Sequence, residues 1–109
     1  TYVQMFNSLN QIKYLPNDTK IYCGHEYTKN NLKFCIKYDK SNKDLDKKLN
    51  WVDERIKNRL PTVPTTIEEE MRTNIFLRCD NIGVKNNLGM SGSSEELVFE
   101  KLRNLKDIF

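Results

Sequence analysis

The chain has 109 residues, enough for one domain with a moderate core and too few for two. Hydrophobic residues make up 38% and charged residues 30%, which is typical of a globular protein that folds in water. No segment approaches the ~20 consecutive apolar residues that span a bilayer, and no secretory signal pattern is present. The net charge of +3 mixes both signs, so we expect no nucleic-acid or membrane surface and a slight preference for small anionic ligands.

The cysteines indicate the redox compartment, and the first residue bears on whether the chain is part of a longer polypeptide. Cys23, Cys35 and Cys79 are widely spaced and form no C-x-x-C pair, so we expect neither a zinc knuckle nor a disulfide framework. Reduced thiols are typical of a cytoplasmic protein, and an organellar location is the alternative. The sequence starts at Thr1 without an initiator methionine, which leads us to expect a piece of a longer polypeptide.

The first third of the chain predicts two helices that flank a strand. Apolar residues recur at helical spacing over residues 2–14, and Pro16 ends that pattern. The short apolar run "KIYC" predicts a buried strand that ends at Gly24. Thr28 is placed to cap a second helix that runs to about Tyr38.

The middle of the chain predicts a long amphipathic helix and then an extended segment. Ser41 and Asp44 resemble a capping box, and Pro61 ends the helix. Its apolar seam is Leu45, Leu49, Val52 and Ile56. The segment "PTVPTT" must be extended because two prolines three residues apart do not allow a regular helix. Thr66 with Glu69, or the pair one residue earlier, predicts the next helix start.

The last third predicts a flexible loop and a final helix. Periodicity is lost from residue 78 to residue 94, where glycine, asparagine and serine are frequent. Ser93 and Glu96 predict the start of the last helix. Its apolar seam is Val98, Leu102, Leu105 and Phe109. The predicted fold class is therefore mainly α, with four or five helices and one short strand near the N-terminus.

A histidine and a pair of cations attract functional interest by their chemistry alone. His25 is the single histidine and follows a strand and a glycine, where a neutral imidazole can bind zinc or iron. One histidine makes no metal site, and a structural or exposed histidine is the commoner case. Arg103 and Lys106 lie three residues apart on one helical face. They are either ordinary surface cations near a helix end or a clamp for a ligand carboxylate.

Three segments together resemble the glyoxalase II family, the hydroxyacylglutathione hydrolases. They are "YCGHEYTKNNLKF", "PTVPTTIEEEMRTNIFLR" and the terminal "LRNLKDIF", and they occur in the family's order over essentially the whole chain. The third is less basic than the family pattern, and the 80–94 segment matches poorly. The resemblance implies a metallo-β-lactamase αββα domain followed by a C-terminal helical domain. Residues 1–25 would be the last helix and strand of the first domain, and residues 26–109 the helical, substrate-binding domain.

The resemblance also implies the site residues and the cofactor. His25 matches a ligand of a binuclear metal centre, with Zn²⁺ the expected metal and iron or manganese the alternatives. The other metal ligands would lie upstream of Thr1. Tyr27, Arg103 and Lys106 match residues that bind the glutathione moiety. Glu26 lies in the same segment and is named with them, although no specific contact is assigned to it.

The implied activity is hydrolysis of S-D-lactoylglutathione to glutathione and D-lactate, which removes methylglyoxal through the glyoxalase pathway. The metals activate water, and the helical domain binds and orients the substrate. Two alternatives stay open: a persulfide-dioxygenase-like relative, and a non-enzymatic helical module that binds glutathione-like anions or a protein partner.

We expect the fragment alone to be inactive. An orphaned strand would also expose backbone groups, so strand-mediated self-association or partial disorder of residues 1–25 is expected.

Overall fold

A computed structural model describes residues 1–22 and 28–109 of the chain. The helices are α1 (Tyr2–Ile12), α2 (Thr28–Tyr38), α3 (Lys43–Lys57), α4 (Ile67–Thr73), α5 (Ile82–Asn87) and α6 (Glu95–Asp107). A 3-10 helix spans Ile75–Leu77, and two short strands are β1 (Lys20–Ile21) and β2 (Thr65–Thr66). The mainly helical fold class is confirmed. Within the described part of the chain, no helix combines the length and the apolar character needed to cross a membrane.

The helix starts show where local patterns are sufficient and where they are not. Thr66 caps α4 by accepting a hydrogen bond from the backbone N–H of Glu69, as predicted. The predicted caps of α3 and α6 are each wrong by one residue, because Asn42 caps α3 and Ser94 caps α6. Asn42 also donates to the backbone carbonyl of Arg72 at 2.7 Å, so a tertiary contact favours it over its neighbour.

The predicted loop between residues 78 and 94 contains a helix instead. Asn81 caps α5, and Val84 on this six-residue helix is fully buried. Gly89 follows with a φ of +68°, the left-handed conformation that commonly ends a helix. Glycine and asparagine are poor helix formers, so burial of Val84 outweighs the local propensity here.

The predicted N-terminal strand is shorter and more exposed than expected. β1 pairs with β2 in an antiparallel register that places Lys20 opposite Thr66 and Ile21 opposite Thr65. The side chain of Tyr22 is 71% exposed, so burial of this segment was wrongly predicted. The rest of the predicted strand, from residue 23, lies outside the described residues.

One hydrophobic core joins all the longer helices. Both predicted seams join the core, because Leu45 and Val52 of α3 and Val98 and Leu102 of α6 are fully buried. Only their C-terminal ends are exposed, with 48% exposure at Ile56 and 46% at Phe109. The helix α1 joins the same core through Phe6, whose ring packs edge-on against Phe99 at 5.5 Å.

A buried ion pair ties α2 to the segment after the 3-10 helix. The side chain of Asp39 is 1% exposed and accepts from Arg78 Nε at 2.8 Å. The same oxygen accepts from Asn42 Nδ2 at 2.9 Å. Such pairing is what allows a carboxylate to be buried. We call these three residues the Asp39 cluster.

Candidate functional site

The two cations predicted on the last helix line the same cavity. Arg103 and Lys106, one turn apart on α6, border a cavity of about 240 Å³ that α2, α3, α4 and the "PTVPTT" segment complete. We call this cavity the α6 pocket. Its other lining residues are Thr28, Asn31, Leu32, Phe34, Cys35, Lys48, Thr62, Thr65, Glu70, Thr73, Asn74 and Phe76. The structure therefore places the predicted pair at a concave site and not on an open surface.

Aromatic rings support both cations. The rings of Phe34 and Phe76 stack nearly parallel, with 5.9 Å between their centroids. Arg103 Cζ lies 5.8 Å from the Phe76 centroid, and Lys106 Nζ lies 5.6 Å from the Phe34 centroid. The ring of Phe109 lies 5.5 Å from Lys106 Nζ as well. A cation over a ring face is attracted by about 0.5–1 kcal/mol at exposed sites, so the rings hold both charges without neutralising them.

Neither cation has a carboxylate partner within 4 Å among residues 1–22 and 28–109. The ion pairs of the described chain involve other lysines and arginines, such as Lys29 with Asp53. Arg103 offers a planar fork and Lys106 a mobile point charge, a combination suited to a carboxylate. This end of the α6 pocket is therefore suited to an anionic ligand.

Neutral polar groups and the start of α2 add to the pocket. Thr62 donates a hydrogen bond to Thr28 at 3.3 Å, and this contact joins the "PTVPTT" segment to the first residue of α2. Asn31 lines the pocket in the same first turn of the helix. Helix N-termini carry a partial positive charge, which also favours an anion.

The pocket contains a second charged group that the sequence patterns did not indicate. Lys48 of α3 lies with its Nζ 3.0 Å from Glu70 Oε2 of α4, and both side chains line the pocket. Their side chains are only 8% and 17% exposed. A lysine in a polar stretch of an amphipathic helix is usually a solvated surface residue, so its burial could be found only from the tertiary structure.

The two described cysteines, Cys35 and Cys79, are free and buried. Cys35 lines the pocket, and burial raises the pKa of its thiol to about 11. Burial likewise raises the pKa of Cys79 to about 12. A protonated thiol is a poor nucleophile, so Cys35 contributes an apolar wall to the pocket and not a reactive group.

The remaining predicted site residues, His25, Glu26 and Tyr27, lie outside the described residues. Thr28, the next residue in the chain, lines the α6 pocket. Within the described ranges, no three histidine, cysteine or acidic side chains come together as a metal site would require. The described residues therefore do not by themselves supply a donor set for the expected metals.

The comparisons with known proteins agree on one family. Residues 26–109 match the family described as "Hydroxyacylglutathione hydrolase C-terminus". A hydroxyacylglutathione hydrolase of Pelagibacter ubique is 52% identical over 109 residues, which are 100% of this chain and 40% of that protein. Those of Bartonella tribocorum and a Chelativorans species are 44% and 42% identical, over 100% and 96% of this chain. The chain spans 40–43% of the length of these relatives.

Proposed function

Since the chain belongs to the hydroxyacylglutathione hydrolase C-terminus family, we propose that the full-length protein hydrolyses S-(2-hydroxyacyl)glutathione thioesters. The expected substrate is S-D-lactoylglutathione, and the products are glutathione and D-lactate. This reaction completes the detoxification of methylglyoxal in the glyoxalase pathway. The relatives that the chain matches are named for this activity.

The role of this chain is to bind and orient the substrate. The single observation that carries the proposal is the α6 pocket, where Arg103 and Lys106 are supported by rings and have no carboxylate partner in the described part of the chain. The two cations bind the glycine carboxylate of glutathione. Tyr27 contacts the same tripeptide, and Glu26 is a further candidate in that segment. Fixing the tripeptide at several points holds the thioester in one place, which lowers the entropic part of the barrier.

The proposed hydrolysis also requires a metal centre. We propose that His25 is one ligand of a binuclear centre, most suitably of Zn²⁺, with iron or manganese as alternatives. Such a centre, when bound, would lower the pKa of its water far enough to supply hydroxide near neutral pH. The other ligands are expected upstream of Thr1, in a metallo-β-lactamase-like domain to which residues 1–25 would also belong.

The direct test is hydrolysis of S-D-lactoylglutathione by the full-length protein beside its His25→Ala and Arg103→Ala variants. We expect rapid turnover in the wild type, loss of turnover in His25→Ala and a raised KM in Arg103→Ala. Turnover that survives in His25→Ala would remove this residue from the essential ligands. No turnover in the metal-loaded wild type would contradict the proposed activity.

A second candidate function follows from the position of the pocket. The α6 pocket is formed within this chain, whereas the described residues gather no metal site. A helical module that binds glutathione-like anions without hydrolysing them would have these features. It is distinguished by binding of S-methylglutathione, a non-hydrolysable ligand, in a protein that shows no hydrolysis. A persulfide dioxygenase would instead consume oxygen with glutathione persulfide.

Two further proposals concern the cellular location of the protein and the self-association of the isolated chain. We propose a cytoplasmic location, supported by the free thiols of Cys35 and Cys79. We also propose that the isolated chain self-associates through β1, which has β2 as its one strand partner within the described residues. Light scattering tests the second proposal, and a strict monomer at all concentrations would refute it.

A further inference from the structure

The ion pair of Lys48 and Glu70 is a second set of charges in the α6 pocket, in addition to Arg103 and Lys106, which we call the α6 cations. Among the described residues, Lys48 Nζ makes one short contact, at 3.0 Å to Glu70. Two longer and weaker contacts, to Thr65 Oγ1 at 3.5 Å and to Glu69 Oε1 at 3.7 Å, can give way to a ligand acceptor at ordinary hydrogen-bond distance. An ammonium group carries three donors. Lys48 therefore has donor capacity left for a ligand acceptor.

The carboxylate of Glu70 also has capacity left. Its Oε2 accepts from Lys48 at 3.0 Å, whereas Thr65 Oγ1, 3.4 Å away, donates its one proton to Glu69 at 2.8 Å. Its Oε1 accepts from Asn74 Nδ2 in the described part of the chain, at a long 3.4 Å. An ionised carboxylate offers about four acceptor positions. Glu70 can thus accept further hydrogen bonds from a ligand cation.

A purely structural role explains this pair less well than the other buried pair of the chain. In the Asp39 cluster, one carboxylate oxygen accepts two hydrogen bonds of 2.8 and 2.9 Å. Neither Asp39 nor Arg78 lines the α6 pocket. Lys48 and Glu70 have longer secondary contacts and both face the cavity. Buried ion pairs add little net stability, so stability alone does not account for one placed at a cavity wall.

We propose that Lys48 and Glu70 bind the amino-acid end of the γ-glutamyl group of the substrate and determine specificity for it. Lys48 donates to the γ-glutamyl carboxylate, and Glu70 accepts from the ammonium group. The inference rests on the proposed function, in which Arg103 and Lys106 hold the glycine carboxylate. Each charged group of glutathione then has an opposite charge in the pocket.

The size of the pocket limits how much of the ligand it can take. Its volume of about 240 Å³ lies just below the ~300–1,000 Å³ of most small-molecule pockets, so it would take part of a glutathione-sized ligand and leave the S-acyl branch outside. A ligand that lacks the ammonium leaves the remaining acceptor positions of Glu70 unfilled in a pocket that excludes much of the solvent, and a site built to hydrogen-bond a group discriminates against analogues that lack it.

The test is calorimetric titration of the full-length protein with S-methylglutathione and two matched analogues. In the first analogue, a glutaryl group replaces γ-glutamyl and removes only the ammonium. In the second, a 4-aminobutyryl group removes only the carboxylate. We expect each analogue to bind the wild type at least about ten-fold more weakly, as for loss of a hydrogen bond to a charged group.

Variants test whether Glu70 is responsible for the preference for the ligand ammonium and Lys48 for the preference for the ligand carboxylate. Glu70→Gln should weaken binding of S-methylglutathione by about ten-fold and leave the affinity for the glutaryl analogue unchanged. Lys48→Met should act in the same way on the 4-aminobutyryl analogue. Glu68→Gln is the matched control, because Glu68 lies on the same helix, is 60% exposed and pairs with Arg72 outside the pocket. It should leave all three affinities unchanged.

The outcomes separate this inference from the proposed function. Equal binding of all three ligands to the wild type, or unchanged discrimination in Glu70→Gln, would overturn the inference and leave the proposed function in place. Absence of any S-methylglutathione binding would overturn the proposed function itself. The wild-type titrations need no variant, so they decide the matter even if Lys48→Met does not fold.

Discussion

The Asp39 cluster and the α6 cations show two opposite uses of charge in one small fold. Asp39 is buried and is satisfied by Arg78 and Asn42 within the chain. Arg103 and Lys106 lie over aromatic rings and have no carboxylate partner among the described residues. Charges satisfied inside the protein hold elements together. Charges held in position by rings keep their electrostatic attraction for a ligand.

The comparison predicts that substitutions at the two regions affect different properties. Breaking the Asp39 cluster should lower the free energy of unfolding. Removing an α6 cation should weaken ligand binding and leave the fold intact.

Arg78→Met should lower the free energy of unfolding by about 3–5 kcal/mol, because it leaves the buried Asp39 carboxylate without its cation. Urea unfolding of the wild type and the variant measures this difference. Arg72→Ala is the control, since Arg72 forms an exposed pair with Glu68 four residues away that is worth about 0.3–0.5 kcal/mol. Equal losses in both variants would contradict the structural role of the Asp39 cluster.

Alkaline pH should destabilise the fold through Cys35 and Cys79. Burial raises the pKa of their thiols from 9.0 to about 11 and about 12, so the unfolded state loses its thiol protons first. Their contribution is fully present below pH 9 and is lost as the pH rises toward these raised values, by a few kcal/mol in total. Urea unfolding at pH 8 and pH 10.5 measures the loss.

Cys35→Ala provides the check on the thiol prediction. Its free energy of unfolding should fall less steeply with pH than that of the wild type, whatever its value at pH 8. An unchanged slope would show that the pocket wall at Cys35 is wet and not apolar.

Arg103→Ala should raise KM for S-D-lactoylglutathione at least several-fold, since hydrogen bonds to charged groups contribute roughly 1.5–3 kcal/mol. Its free energy of unfolding should stay within about 0.5 kcal/mol of the wild type. Lys101→Ala, at an exposed position of the same helix, should change neither quantity. An unchanged KM in Arg103→Ala would refute the assigned contact.

Phe76→Leu should have the smallest effect on binding. It removes the ring 5.8 Å from Arg103 Cζ but keeps an apolar side chain at a partly buried position. Loss of about 0.5–1 kcal/mol of cation–π attraction predicts a two- to five-fold weaker affinity for S-methylglutathione. Titration calorimetry measures it. A loss as large as that of Arg103→Ala would mean that the ring itself contacts the ligand.

Periodic apolar residues predicted most of the helical fold. The seams of α3 and α6 and the cap at Thr66 depend on residues close in sequence, so local patterns were sufficient. The helix α5 was missed because burial of Val84 outweighs an unfavourable local composition. The caps at Asn42 and Ser94 were misplaced by one residue, an error that is common where several capping residues follow each other.

The sequence predicted only part of the charged lining of the candidate site. Arg103 and Lys106 were predicted from the family resemblance, and the structure brings them to one pocket. Lys48 and Glu70 had no distinguishing pattern, because charged residues on amphipathic helices are usually solvated. Their contact joins residues 22 positions apart, on two different helices.

The sequence by itself determined the helical class, the amphipathic faces and the chemistry of the α6 cations, because each depends on neighbours within one or two turns. Only the tertiary structure decided which charges are paired within the chain and which stay available to a ligand. Asp39 is buried and paired with Arg78, whereas the α6 cations lie over Phe34 and Phe76. The energy of a charge depends on its surroundings in three dimensions, and those are set by packing between helices distant in sequence.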